Sequence, residues 1–93
     1  MLDRILKIMR EKVRTNEYIM TLHAEEEMDN DDLTIFDIER SILNGIIIER
    51  NRDSETKENK YTIMGESVSG CKVGVITKIS ITGKLVVITV YKI

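Results

Sequence analysis

Leu2, Ile5, Leu6, Met9 and Val13 recur at spacings of three and four, which places them on one stripe of a helix. Arg4, Lys7, Arg10, Glu11 and Arg14 fall mainly outside that stripe, so the first helix is amphipathic and basic on its outer side. A short apolar stretch at 18–20 follows, and Thr21 is placed to cap a second helix over 22–30 that carries Leu22, Ala24 and Met28. Thr34-Ile35-Phe36-Asp37 reads as a capping box: the hydroxyl accepts from an amide of the first turn and the carboxylate reaches back. A third helix then buries Ile35, Ile38, Ile42 and Leu43, and Asn44-Gly45 ends it, with the glycine expected in the left-handed C-terminal position.

After Gly45 helical spacing gives way to β-branched runs, the clearest boundary in the chain. The pattern predicts strands at 46–50, 61–66, 71–81 and 84–91. The polar stretch 51–60 reads as a mobile loop, and Val68-Ser69-Gly70 and Thr82-Gly83 as tight hairpin turns. Sequential strands joined in this way pair antiparallel. The last strand is apolar on both faces, which places it inside the sheet. The predicted fold is α+β, with two to three N-terminal helices packed on one face of a four-stranded antiparallel sheet.

Composition narrows this picture. Ninety-three residues support one core, so residues 1–93 form a single domain. With 42% apolar residues and a net charge of −2 the chain is neither disordered nor a basic nucleic-acid tail. Cys71 is the only cysteine and cannot close an intramolecular disulfide, which favours a reducing, cytoplasmic setting. No apolar run approaches the roughly 20 residues of a membrane helix, so no membrane association is expected. Charge is uneven: residues 1–50 carry 12 acids and 7 bases, residues 51–93 carry 4 acids and 7 bases, and eight acids with no base lie in 25–39. That acidic tract reads either as a solvated helix face or as a docking patch.

Candidate chemistry is sparse. His23 is the only histidine and precedes Glu26 and Glu27 by one helical turn, so a carboxylate could orient its ring. Without further nitrogen or sulfur ligands nearby a metal site is not expected, and a partly buried, hydrogen-bonded structural histidine is the plainer reading. Asp29-Asn30-Asp31 lacks the glycine and the final glutamate of a calcium loop. Asp53, Glu55 and Lys57 mimic an E-x-K nuclease element but fall in a polar loop rather than on an apolar strand. Cys71 reads as a buried small hydrophobe. No glycine-rich phosphate cradle is present, and no cofactor is implied. Arg50, Arg52, Lys72, Lys78, Lys84 and Lys92 could form a weakly basic surface beside Tyr61 and Tyr91 that takes RNA. Lysines on strands equally serve to keep edges from pairing.

One resemblance adds to this. Thr21-x-His23-Ala24-x-x-x-Met28, Leu33, the Thr34 cap, Ile38, Ile42, Asn44-Gly45, Ile48-Glu49 and the closing Val87-Ile88-Thr89-Val90-Tyr91 resemble a bacterial family of small domains of unknown function. Its pattern reads approximately T-x-H-A-x-x-R-M-x-x-R-x-I, then a helix ending in N-G, then strands ending in a T-V-Y-like segment. The family is distantly similar to RelE-like toxins, whose curved antiparallel sheet carries helices on one side and cleaves RNA. The resemblance implies a metal-independent ribonuclease acting on RNA or the ribosome, with His23 as candidate acid or base and Tyr91 as a second candidate. Glu27 and Asp31 stand where the family has arginines, and a carboxylate there repels the scissile phosphate. The rival expectation is therefore a non-catalytic interaction module, contacting a second copy or an antitoxin-like protein through Glu27 and Asp31.

Overall fold

The computed structural model describes residues 2–93. Elements follow in the order α1 (Leu2–Arg14), β1 (Tyr18–Met20), α2 (Leu22–Asn30), α3 (Ile35–Asn44), β2 (Ile46–Arg52), β3 (Asn59–Glu66), β4 (Lys72–Ile79) and β5 (Leu85–Lys92). The strands form one sheet in the order β1-β5-β4-β3-β2. β2 to β5 make the antiparallel meander that the alternating runs predict. The sheet is nevertheless five-stranded and mixed, not four-stranded and antiparallel, because β1 adds parallel to β5, with Tyr18 opposite Leu85 and Met20 opposite Val87. Three residues are too few to show a period, so β1 is invisible as a strand until β5 is beside it.

The helices gather on one face. Leu6, Met9 and Val13 of α1, Ala24 of α2 and Ile38 and Ile42 of α3 share a core with Tyr61, Ile63, Val73, Val75, Leu85, Val87 and Val90. Alternation along the strands, broken in β5 by a bulge between Val87 and Val90, supplies that inward set, and its burial is the main stabilising term of the fold. Both caps form as the sequence requires: Thr21 Oγ1 accepts from the Ala24 N–H at 3.1 Å. Thr34 Oγ1 accepts from the Asp37 N–H at 3.3 Å, while Asp37 Oδ2 accepts from the Thr34 N–H at 2.8 Å.

Gly45 does not take the left-handed position; its φ is −91°. What requires glycine there, and at Gly65, is close approach. The Ser41 carbonyl of α3 lies against both, so a Cβ at either position would collide with backbone. Among the glycines positive φ occurs instead in the hairpin turns, at Gly70 (88°) and Gly83 (87°). β2 and β3 extend further into the polar stretch than expected, which shortens the loop to 53–58. There Asp53 Oδ1 accepts from the Glu55 and Thr56 N–H groups at 2.8 and 3.1 Å, an Asx-type turn that organises the segment.

Candidate functional site

α2 is positioned by its first residue. Thr21 Oγ1 caps the helix and also donates to the Ile88 carbonyl at 2.9 Å, while the Thr21 N–H donates to the Val87 carbonyl at 3.0 Å. With Ala24 turned into the core, the preceding His23 faces outward, and its side chain is 59% exposed. The ring is thus not the partly buried structural histidine expected. Its Nε2 lies 3.7 Å from the Glu27 carboxylate, and it makes no hydrogen bond among the described residues. Glu25, Glu26 and Asp29 stand on the same helix, which contains no lysine or arginine. Met20, Met28 and Ile35 floor a shallow groove beside this helix, and Glu25 and Asp29 rim it.

Tyr91 lies on the other side of the sheet. Val73, Val75 and Thr77 of β4 point into the core, so Gly74 between them faces away from the helices. The Tyr91 ring occupies the space that a Gly74 Cβ would fill. Gly74 is therefore the residue that lets an aromatic lie flat on this face, and the sheet separates His23 from Tyr91. The two do not form an acid–base pair.

The basic residues also divide. Lys72 and Lys78 alternate with the buried residues of β4 and share the open face with Tyr91, where Lys78 Nζ pairs with Glu58 at 3.3 Å. Lys92 pairs across the sheet with Val73 and belongs to the helix-covered side. Its N–H donates to Asp31 Oδ2 at 3.1 Å, so Asp31 ties the end of α2 to β5. Arg50 and Arg52 stand opposite Tyr61 and Asn59 on the edge strand β2, also on the helix side. Tyr61 itself is in the core. The surface read from the sequence as one basic patch thus lies on two sides of the sheet. Around Lys72, Lys78 and Tyr91 the open face carries Met64, Ile76 and Val86, flanked by Ile19 and Ile46, interleaved with Thr62 and Thr89 and with Glu66 opposite Lys72.

Two acidic contacts had no signal in the sequence. The Tyr18 hydroxyl donates to Glu39, binding β1 to α3, and burial together with that carboxylate pushes the phenol up to about 12. Asp37 Oδ1 accepts from the Val68 N–H at 2.9 Å while Oδ2 closes the capping box, so one carboxylate joins the start of α3 to the β3–β4 turn. The hydrogen bonds from the Thr34 and Val68 amides hold it below the usual carboxylate range. Cys71 is half-buried in that turn, not fully buried as expected, and its N–H donates to Ser67 Oγ at 3.1 Å. Among the described residues no three His, Cys, Asp or Glu side chains converge to hold a metal ion, and no helix is long and apolar enough to cross a membrane.

No curated protein and no solved structure matches the chain. Residues 20–92, from the end of β1 to the end of β5, match the family described as Domain of unknown function (DUF4258). That span takes in the His23 helix, both caps and all four strands of the meander, and on it the chain belongs to the DUF4258 family.

Proposed function

We propose that this domain is a non-catalytic protein-interaction module whose acidic α2 surface receives a basic segment of a partner protein. The observation that carries the reading is the setting of His23: an exposed imidazole facing Glu27, on a helix with three further acids and no base. Cleavage of a phosphodiester needs positive charge to neutralise the phosphate as well as a proton donor and acceptor. α2 offers the opposite charge. It attracts cations, and the groove floored by Met20, Met28 and Ile35 suits the aliphatic stem of a lysine or arginine whose head reaches Glu25 or Asp29. Asp31, engaged with the Lys92 amide, serves structure, which leaves the half-buried Glu27 as the partner contact of the pair.

A test compares wild type with Glu25→Arg/Glu27→Arg in co-purification from the native lysate over a range of salt. Capture should be lost in the variant and weaken as the screening length shortens to about 8 Å at 0.15 M. An unchanged set of partners overturns the proposal.

A RelE-like, toxin-type ribonuclease acting on RNA or the ribosome is the second reading. It is favoured by Tyr91 lying over Gly74 beside Lys72 and Lys78 on the open sheet face, where a base can stack. Under this reading purified protein cuts RNA in EDTA, and Tyr91→Phe on the open face slows it by about 10²-fold, while His23→Ala across the sheet leaves the rate unchanged. Under the interaction reading no variant differs from background.

A further inference from the structure

Buried Ile38, Ser41 and Ile42 fix which side of α3 faces the sheet. The opposite side carries Phe36, Glu39, Arg40 and Leu43 at spacings of three, four and seven, which forms one stripe along the helix. This stripe has apolar ends and a charged centre. Phe36, the only phenylalanine in the chain, is 67% exposed and Leu43 is 37% exposed. Val68, 63% exposed at the β3–β4 turn, and Asn44 complete a shallow depression against them. Arg40 makes no ion pair among the described residues. Glu39 uses only its Oε2 for the Tyr18 hydroxyl, which leaves its other oxygen free.

The order along the stripe is apolar, acidic, basic, apolar, and it is symmetric about the point between Glu39 and Arg40. Such an order is self-complementary under a two-fold axis through that point, since each residue then meets the counterpart at equal distance from the axis and acid meets base. We propose that α3 packs antiparallel on α3 of a second copy of this chain. Phe36 then meets Leu43 of the second copy, and Glu39 meets Arg40 of the second copy, each contact occurring twice. A foreign partner would not require that symmetry. The proposal uses a different surface from the α2 contact and stands or falls separately from it.

Sedimentation equilibrium and light scattering on the full chain test the pairing. A concentration-dependent monomer–dimer equilibrium is expected, with Phe36→Ala raising the dissociation constant about tenfold or more, because an aromatic anchor is lost twice. Its exposure means the monomer should keep its fold, checked by an unchanged far-UV circular dichroism spectrum and by a melt that matches wild type at concentrations below the dissociation constant. Charge reversal gives the sharper test. Glu39→Arg and Arg40→Glu should each be monomeric alone, should form a heterodimer when mixed, and should dimerise again when combined in one chain. Tyr18→Phe controls for the lost hydroxyl contact and should dimerise like wild type. A monomer at every concentration, or a dimer indifferent to Phe36→Ala and to the charge exchange, overturns the proposal.

Discussion

The two faces of the sheet are built from the same strands under different rules. On the covered face, backbone approaches backbone: the Ser41 carbonyl of α3 rests against Gly65, and Val73, Val75 and Val87 are fully buried. On the open face, side chain lies on backbone: the Tyr91 ring rests on Gly74, and lysines alternate with apolar residues. The contrast shows that a glycine's importance depends on what occupies the space above it. A carbonyl in a helix cannot yield without moving the helix, whereas the end of an aromatic ring can swing aside.

The same substitution on both faces tests this directly. Gly65→Ala should cost about 3 kcal/mol, the upper range for forcing extra volume into a packed interior, read as a lowered denaturant midpoint. Loss of protection from amide exchange in α3 should accompany it. Gly74→Ala should cost under about 1 kcal/mol while displacing Tyr91, which tyrosine fluorescence or ring chemical shifts would report. Equal costs at the two positions would abolish the distinction.

Between these extremes comes Asp37, which joins α3 to the β3–β4 turn. Asp37→Ala removes a cap and the acceptor for the Val68 N–H, and should cost about 1–2 kcal/mol in a urea melt. Because its folded pKa lies below the unfolded one, its contribution is present above the ordinary carboxylate range. It is lost as pH falls through the folded value. Asp37→Asn should flatten that acid limb.

Tyr18 behaves in the opposite sense and on a smaller scale. Its phenol is raised to about 12, so the folded state holds its proton after the unfolded chain has released it. The stability it contributes is complete below the usual phenol range and declines as pH rises from about 10 toward 12. Tyr18→Phe should remove that alkaline dependence, measured as the shift in melting temperature between pH 9 and 11. A slope unchanged in Tyr18→Phe would assign the dependence to other groups.

Much of the covered face was legible beforehand. Spacings of three and four gave α1 and α3, Thr21 and Thr34 marked the helix starts, and the change to β-branched runs at Gly45 located the meander. Periodicity succeeds there because burial on one side imposes it. The remainder depended on distance through space. β1 is a strand only because Val87 and its neighbours lie alongside, and the need for glycine at 45 and 65 comes from a carbonyl on α3. The Tyr18–Glu39 contact joins residues 21 apart with no pattern to announce it. For the candidate site, the sequence supplied the residues but not their sides. Lys72 and Lys92 look equivalent along the chain, yet the bulge between Ile76 and Thr77 and the pleat of β4 and β5 put them on opposite faces.

The three-residue strand β1 also bears on how the chain reaches its structure. Tyr18 pairs with Leu85, and Thr21 anchors α2 through Val87 and Ile88, so the earliest strand and the helix after it have no sheet to join until the last strand exists. The meander of β2 to β5 consists of neighbouring hairpins and can zip locally, while docking of the N-terminal third must close a loop of more than 60 residues. This topology makes the N-terminal pairing the contact with the larger loop-closure cost. A chain emerging from the ribosome has no partner for the Thr21 anchor of the acidic α2 segment until Val87 and Ile88 have cleared the exit tunnel.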